Sequence, residues 1–367
     1  MNTAARLARL RALLRERELE AIVITHPSNR FWLSGFTGED IPPNESAGHL
    51  VIGQHEAFVV TSRLNSTLAQ QEALGFHVFD RERDFARGDA IVLQELGVRR
   101  VGFEDRAILY RDVHVLRETL GEGIELVPVG TLVDELRAVK SPDELEIIAR
   151  AQAITDTAFQ AVVAELRPGL TERDVALRLE RALVEAGADG PAFPIAVASG
   201  PHGALPHYRP TRRVLASGEP IVIDMGAVVD GYCADLTRTV WLGRADERLE
   251  AIFAVVLEAV EAAEAGIRPG MTGREADALA RAVIARAGYA DAFTHSLGHG
   301  VGVRVHEAPS LSPASEHVLE PGHVVTIEPG IYLPGWGGVR IEDLVVIRQN
   351  GVEVLTRTPK RLAVPTG

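Results

Sequence analysis

Along residues 3–20, Leu7, Leu10, Leu13 and Leu14 recur at the spacing of one helical face among arginines and glutamates. The uninterrupted apolar run Ala21-Ile22-Val23-Ile24 follows as a short strand. Mixed helix and strand signals continue through Phe58-Val59-Val60, 91–96 and Val101-Gly102-Phe103 as far as Val129, an α/β opening. Near Lys140 the pattern changes. Ser141-Pro142-Asp143-Glu144 reads as a helix start, with proline early in the helix and acids in its first turn. The domain boundary is expected between 130 and 140, giving an N-terminal domain over 1–133 and a second over 140–367.

The second domain contains an internal repeat. Arg167-Pro168-Gly169-Leu170-Thr171 recurs 101 residues on as Arg268-Pro269-Gly270-Met271-Thr272, each opening an amphipathic helix with a threonine cap and an acid three residues later, Asp174 or Glu275. Further on, 218–226 (GEPIVIDMG) recurs as 322–330 (GHVVTIEPG), at an offset of 104. One helix-plus-hairpin unit has been doubled, and a doubled unit implies a pseudo-twofold site between its halves.

Each hairpin carries acids. Ile221-Val222-Ile223 leads into Asp224, and Asp230-Gly231, the strongest short hairpin signal, turns the chain back through Asp235 and Thr237. With the turn at those two residues, 224 pairs with 237 and 226 with 235. Asp224 and Asp235 are then diagonal neighbours on one face. In the second copy Thr326-Ile327-Glu328 runs into Pro334-Gly335-Trp336-Gly337-Gly338 and returns through Arg340-Ile341-Glu342. A loop of odd length without a bulge puts Glu328 and Glu342 on one face, with Arg340 beside them. Four converging carboxylates repel one another and take up protons unless cations compensate them. Metal is the simplest explanation.

His295 and His299 form an HxxxH pair, but Gly298, Gly300 and Gly302 bracket His299, and Val301, Val303 and Val305 alternate. This predicts a loop entering a strand rather than a zinc-binding helix. Asp, Asp, His, Glu and Glu make an oxygen-rich site that favours Mn²⁺ or Co²⁺, with Zn²⁺ compatible.

Composition narrows the partners. The formal charge of −13, from 51 acidic against 38 basic residues, argues against nucleic acid or an anionic membrane. Hydrophobic content of 46 % over 367 residues suffices for a core in each domain. No apolar stretch reaches the roughly 18 residues of a spanning helix. Cys233 stands alone and no signal-peptide pattern opens the chain, so a reducing, cytoplasmic compartment is expected.

The motifs IVIDMGAVVDGYCADLTRTV, HSLGHGVGVRVHEAP, TIEPGIY and VRIEDLVVI resemble those of the pita-bread metallopeptidases, which include Xaa-Pro dipeptidase (prolidase), aminopeptidase P and methionine aminopeptidase. THPSNRFWLSGFTG at 25–38 resembles the creatinase-type domain that precedes the catalytic domain in the proline-specific members. The implied fold is α+β: a smaller α/β creatinase-type domain followed by a pita-bread catalytic domain of pseudo-twofold helix and β-hairpin units. Methionine aminopeptidases lack the first domain and follow the last ligand with His-Thr, whereas here Asp343-Leu344 follows Glu342. By this resemblance Asp224, Asp235, His299, Glu328 and Glu342 bind two divalent cations per subunit, with Asp235 and Glu342 bridging. A pita-bread module that only bound peptides would have no reason to keep all five.

The implied reaction is metal-assisted hydrolysis of the bond before a proline, in short proline-containing peptides, with Glu328 shuttling a proton. The resemblance places His207, His295, His306 and Arg340 around the substrate, His306 on its carbonyl and His207 on the proline side, and implies a homodimer. A dipeptidase must neutralise the proline carboxylate; an aminopeptidase P must leave the path open. Some prolidases carry an arginine ahead of the fourth ligand, where this chain reads His317-Val318-Leu319-Glu320. Arg340, Arg304 or an arginine of a second subunit are the substitutes, and the 38–44 loop has the length of a lid or partner arm. The compact length leans towards the dipeptidase.

Overall fold

The structure is a computed structural model that describes residues 2–41, 45–206 and 208–365. His207, and the 42–44 part of the expected lid or arm, lie outside the described residues. The chain divides into two compact units, 1–137 and 138–367. The stretch 134–139, expected to link domains, is largely helical: Leu132–Ala138 is a helix, anchored by buried Leu132, Val133 and Leu136.

The first unit is a six-stranded mixed sheet in the order His77–Phe79, Ala57–Thr61, Gly48–Gly53, Ala21–Ile24, Arg100–Phe103, Glu125–Pro128. Ala21–Ile24 is wholly buried. A strand covered on both faces needs no polar positions, which is why it reads as a continuous apolar run. Its core joins Val23, Val51, Val60, Phe79, Leu93 and Leu116.

The second unit holds the repeat. The helices Glu172–Glu185 and Gly273–Arg286 both begin with a capping box, Thr171 with Asp174 and Thr272 with Glu275. Each threonine also bridges to a later residue of its own half, Thr171 to Val214 and Thr272 to Val318. Each half has a sheet built on its hairpin. Leu236–Leu242 and Ile221–Met225 sit beside Ala196–Ser199 in one; Val324–Ile327 and Asp343–Arg348 sit beside Gly298–Gly300 in the other. Each half also has its own core, with Phe159, Leu179, Ile223 and Leu236 in the first and Phe253, Ile284, Val325 and Val345 in the second. Side-chain hydroxyls join the hairpins. Thr237 Oγ1 donates to Glu342 Oε2 at 2.7 Å, and Thr239 Oγ1 donates to the Arg340 carbonyl at 2.9 Å. The Glu342 N–H also donates to the Thr237 carbonyl at 3.0 Å, so the two ribbons meet along 237–239 and 340–342.

Candidate metal centre

Register positions the first two acids. Asp224 pairs with Thr237 and Val229 with Tyr232 in one unbroken register, so the turn falls at Asp230-Gly231. Both turn residues have positive φ, 49° and 77°, the backbone that a two-residue hairpin of this hand requires. Gly226 lies opposite Asp235, and a Cβ there would sit 1.9 Å from the Ala234 carbonyl oxygen, so only glycine lets the strands approach this closely. In the second ribbon Ile327 pairs with Asp343 and Gly330 with Arg340, which brings Glu328 opposite Glu342. The loop between the paired residues Leu333 and Gly337 has the odd length this geometry needs.

His299 lies in the strand Gly298–Gly300. The alternating valines after it do not form the expected strand; the next one is Glu307–Leu311. The physical reason is a register shift between His299 and Gly300, followed by a turn closed by Gly302 N–H onto the Arg304 carbonyl, with Gly302 packed on the Glu307 carboxylate. Glycine at 298 is equally forced, because a Cβ would meet the Thr326 carbonyl oxygen at 2.0 Å.

These elements bring ligand atoms of Asp235, His299 and Glu342 within 4.8 Å of one another. His299 Nε2 is 3.2 Å from Glu328 Oε1 and 3.7 Å from Asp235 Oδ2. Its Nδ1 faces the Gly300 carbonyl at 3.2 Å, which fixes the ring and leaves Nε2 for the acids. Asp224 accepts from the Arg340 guanidinium. All five candidate ligands, with His295, His306 and Arg340, line one cavity of about 540 Å³.

The protein does not neutralise this cluster by itself. Burial, with Glu342, Asp224 and Glu328 close by, pushes the Asp235 carboxyl well above the usual carboxylate range. Burial, Glu328 and Asp224 push Glu342 up to about 8. Glu328 is drawn down to about 2, because the hydrogen bond and charge of His299 outweigh its burial. His299 is raised in turn, Glu328 outweighing the cost of burying the charged ring. Glu342 Oε1 is buried without a hydrogen-bond partner among the described residues. Clustered carboxyls driven to hold protons for want of countercharge, and an orphaned carboxylate oxygen, fit a divalent cation, and the oxygen-rich donor set fits a hard one.

The remaining candidates separate by position. His295 is turned inward: Nδ1–H donates to the Ser296 carbonyl at 2.8 Å and Nε2 accepts from Tyr332 Oη at 2.9 Å. Burial holds its pKa below that of a free imidazole. His306 is exposed at the cavity, its ring edge-on to His299 with centroids 4.2 Å apart. Arg340 is 4 % exposed. Its other donors go to Tyr332 Oη and Thr237 Oγ1, both at 3.0 Å, so it orients the acids around it. Arg304 is exposed and is not among the residues lining the cavity. Sequence reasoning missed Tyr332, which joins His295 to Arg340, and the wall of Phe193, Pro194, Pro206, Tyr208 and Arg209. Tyr332 ends the TIEPGIY motif; the wall comes from irregular stretches before and after the strand Ala196–Ser199, with no periodicity to mark them.

Residues 146–349 match the family model for metallopeptidase family M24, and residues 6–139 match the creatinase/prolidase N-terminal domain. An uncharacterized peptidase of Bacillus subtilis is 40 % identical, over 98 % of this chain and 99 % of its own length. The solved structure of an Xaa-Pro dipeptidase from Bacillus anthracis has TM-score 0.92 at 37 % identity and covers 100 % of both chains. That of an X-Pro aminopeptidase from Thermotoga maritima has TM-score 0.85 at 32 % identity, covering 96 % of this chain and 99 % of the other.

Proposed function

The chain belongs to metallopeptidase family M24, with a creatinase/prolidase-type domain before a pita-bread catalytic domain, and from that premise we propose that it hydrolyses the Xaa-Pro bond of short peptides, dipeptides foremost. The observation that carries the reading is the meeting of Asp235, His299 and Glu342 within ligand distance in a cavity that also holds Asp224 and Glu328. These five residues would hold a pair of divalent cations, Mn²⁺ or Co²⁺ before Zn²⁺ on the hardness of the donors. Such cations supply Lewis-acid polarisation of a carbonyl and acidification of water. Assembly as a cytoplasmic homodimer belongs to the same reading and rests on the sequence resemblance and the single cysteine.

The chain's own groups do the rest. Glu328, its Oε1 held by Thr326 Oγ1 and facing His299, takes the proton that water loses and returns it to the departing proline nitrogen. His306, exposed at the cavity, donates to the substrate carbonyl as charge develops there. His207 is assigned to the proline side on the resemblance alone. Phe193, Pro194 and Pro206 give the pyrrolidine ring an apolar wall. Proline's amide nitrogen carries no hydrogen, so a site that asks for no donor there suits this bond.

Release of proline from Ala-Pro, compared with cleavage of Ala-Pro-Ala, with Mn²⁺, Co²⁺ and Zn²⁺ supplied separately, tests the reading. Ala-Pro should be the better substrate and a chelator should abolish its cleavage. Preference for the tripeptide would point instead to aminopeptidase P chemistry, and absence of cation-dependent Xaa-Pro cleavage contradicts the proposal.

A further inference from the structure

The preference for dipeptides just proposed requires a receptor for the proline carboxylate, and the inference that follows rests on that reading. The carboxylates of Asp224, Asp235, Glu328 and Glu342 in this cavity are the ligands of the proposed cations, which they engage. A substrate carboxylate entering the same space loses hydration, and the cost is high unless a cation meets it. Two arginines line the cavity, Arg340 and Arg209. Arg340 is spent: it is buried, and it donates to Asp224, Tyr332 and Thr237. His295 is spent as well, on Ser296 and Tyr332.

Arg209 differs on each count. It is exposed, and among the described residues no hydrogen bond or ion pair engages its guanidinium. Its backbone, by contrast, is flanked by anchors. The fully buried Glu172, first residue of its helix, accepts from Tyr208 Oη at 3.0 Å on one side of Arg209. On the other side it accepts from Thr211 N–H at 3.0 Å and Thr211 Oγ1 at 2.7 Å. A guanidinium with open donors, carried on backbone held on both sides, has the donors for a bidentate pair with a carboxylate. The apolar wall of Phe193, Pro194 and Pro206 lines the same cavity, where the proline ring that bears this carboxylate would rest.

We propose that Arg209 receives the C-terminal carboxylate of an Xaa-Pro dipeptide and so makes the site selective for substrates that end at proline. The test measures steady-state hydrolysis of Ala-Pro and of its C-terminal amide by the Mn²⁺-loaded full chain, as wild type, Arg209→Met and Arg209→Lys, with thermal melts as the check on folding. Arg209→Met should raise KM for Ala-Pro on the order of tenfold or more, as loss of a charge-assisted pair implies. Its kcat should stay near wild type and its kinetics on the amide should not change, while Arg209→Lys should recover part of the preference for the free acid. Equal effects of Arg209→Met on acid and amide, or no effect on either, would overturn the proposal and leave the Xaa-Pro reading standing. A wild-type protein that cleaved neither compound would remove both.

Discussion

A carboxylate buried with six hydrogen-bond donors around it is held in its charged form. Glu172 is such a group, accepting from Ser199 N–H and Oγ, His202, Tyr208, and Thr211 N–H and Oγ1. Burial opposes ionisation, but the bonds from Ser199, Thr211 and His202 win and bring its pKa down to about 2 from an ordinary 4.5. A depressed pKa stabilises the fold fully above the unfolded value and ceases to do so as pH falls through the folded one. Urea unfolding should therefore show stability declining by on the order of 3 kcal/mol between pH 5 and pH 2 from this group. Glu172→Gln should lose on the order of 2 kcal/mol at pH 7 and show a shallower acid limb; an acid limb identical to wild type would contradict this role. Nothing in the sequence marks Glu172 beyond an acid in a helix's first turn, because its donors come from a segment 27 to 39 residues away. Asp224 and Asp235 were legible for the opposite reason: their neighbour relation depends only on a local Asp-Gly turn.

The hairpin is the element that converts sequence into site geometry. Its period fixes which acids face one another, and the glycines fix how closely the ribbons approach. Gly226→Ala places a methyl against the Ala234 carbonyl and must push apart the strands that carry Asp224 and Asp235. It should destabilise by about 1–3 kcal/mol, as overpacking does, and weaken Mn²⁺ binding at the same time. An alanine variant with unaltered cation affinity would show that strand spacing there does not set the site. Register arguments succeeded where pairing was regular, at 224 with 237 and across Glu328 and Glu342. They failed at 301–305, where the valines alternate as in a strand. A shift after His299 and the Gly302 turn override local propensity there and leave His306 exposed at the cavity. Bulges depend on what the neighbouring strand permits, which no local pattern records.

Over the whole molecule, duplication was the most informative signal. Matching Pro-Gly-Thr helix starts and matching GxxxxIxxG hairpins foretold two halves with separate cores and one acid pair each, and the capping boxes at Thr171 and Thr272 repeat in three dimensions. The two units divide near residue 137, within the helix Leu132–Ala138. Among the described residues no helix is long and apolar enough to cross a membrane. The irregular stretches that wall the cavity were the least legible part; the one around Tyr208 is tied to Glu172 in another element.

The proposed function requires acids from two related ribbons and one imidazole to hold a pair of divalent cations. Elemental analysis of the protein after dialysis against Mn²⁺, done in parallel on wild type and Asp235→Asn, reads it directly. About two Mn²⁺ per wild-type chain are expected, with the loss of at least one in Asp235→Asn and an unchanged circular dichroism spectrum. A wild-type chain that retained no Mn²⁺, or an Asp235→Asn chain that retained as much as wild type, would contradict it.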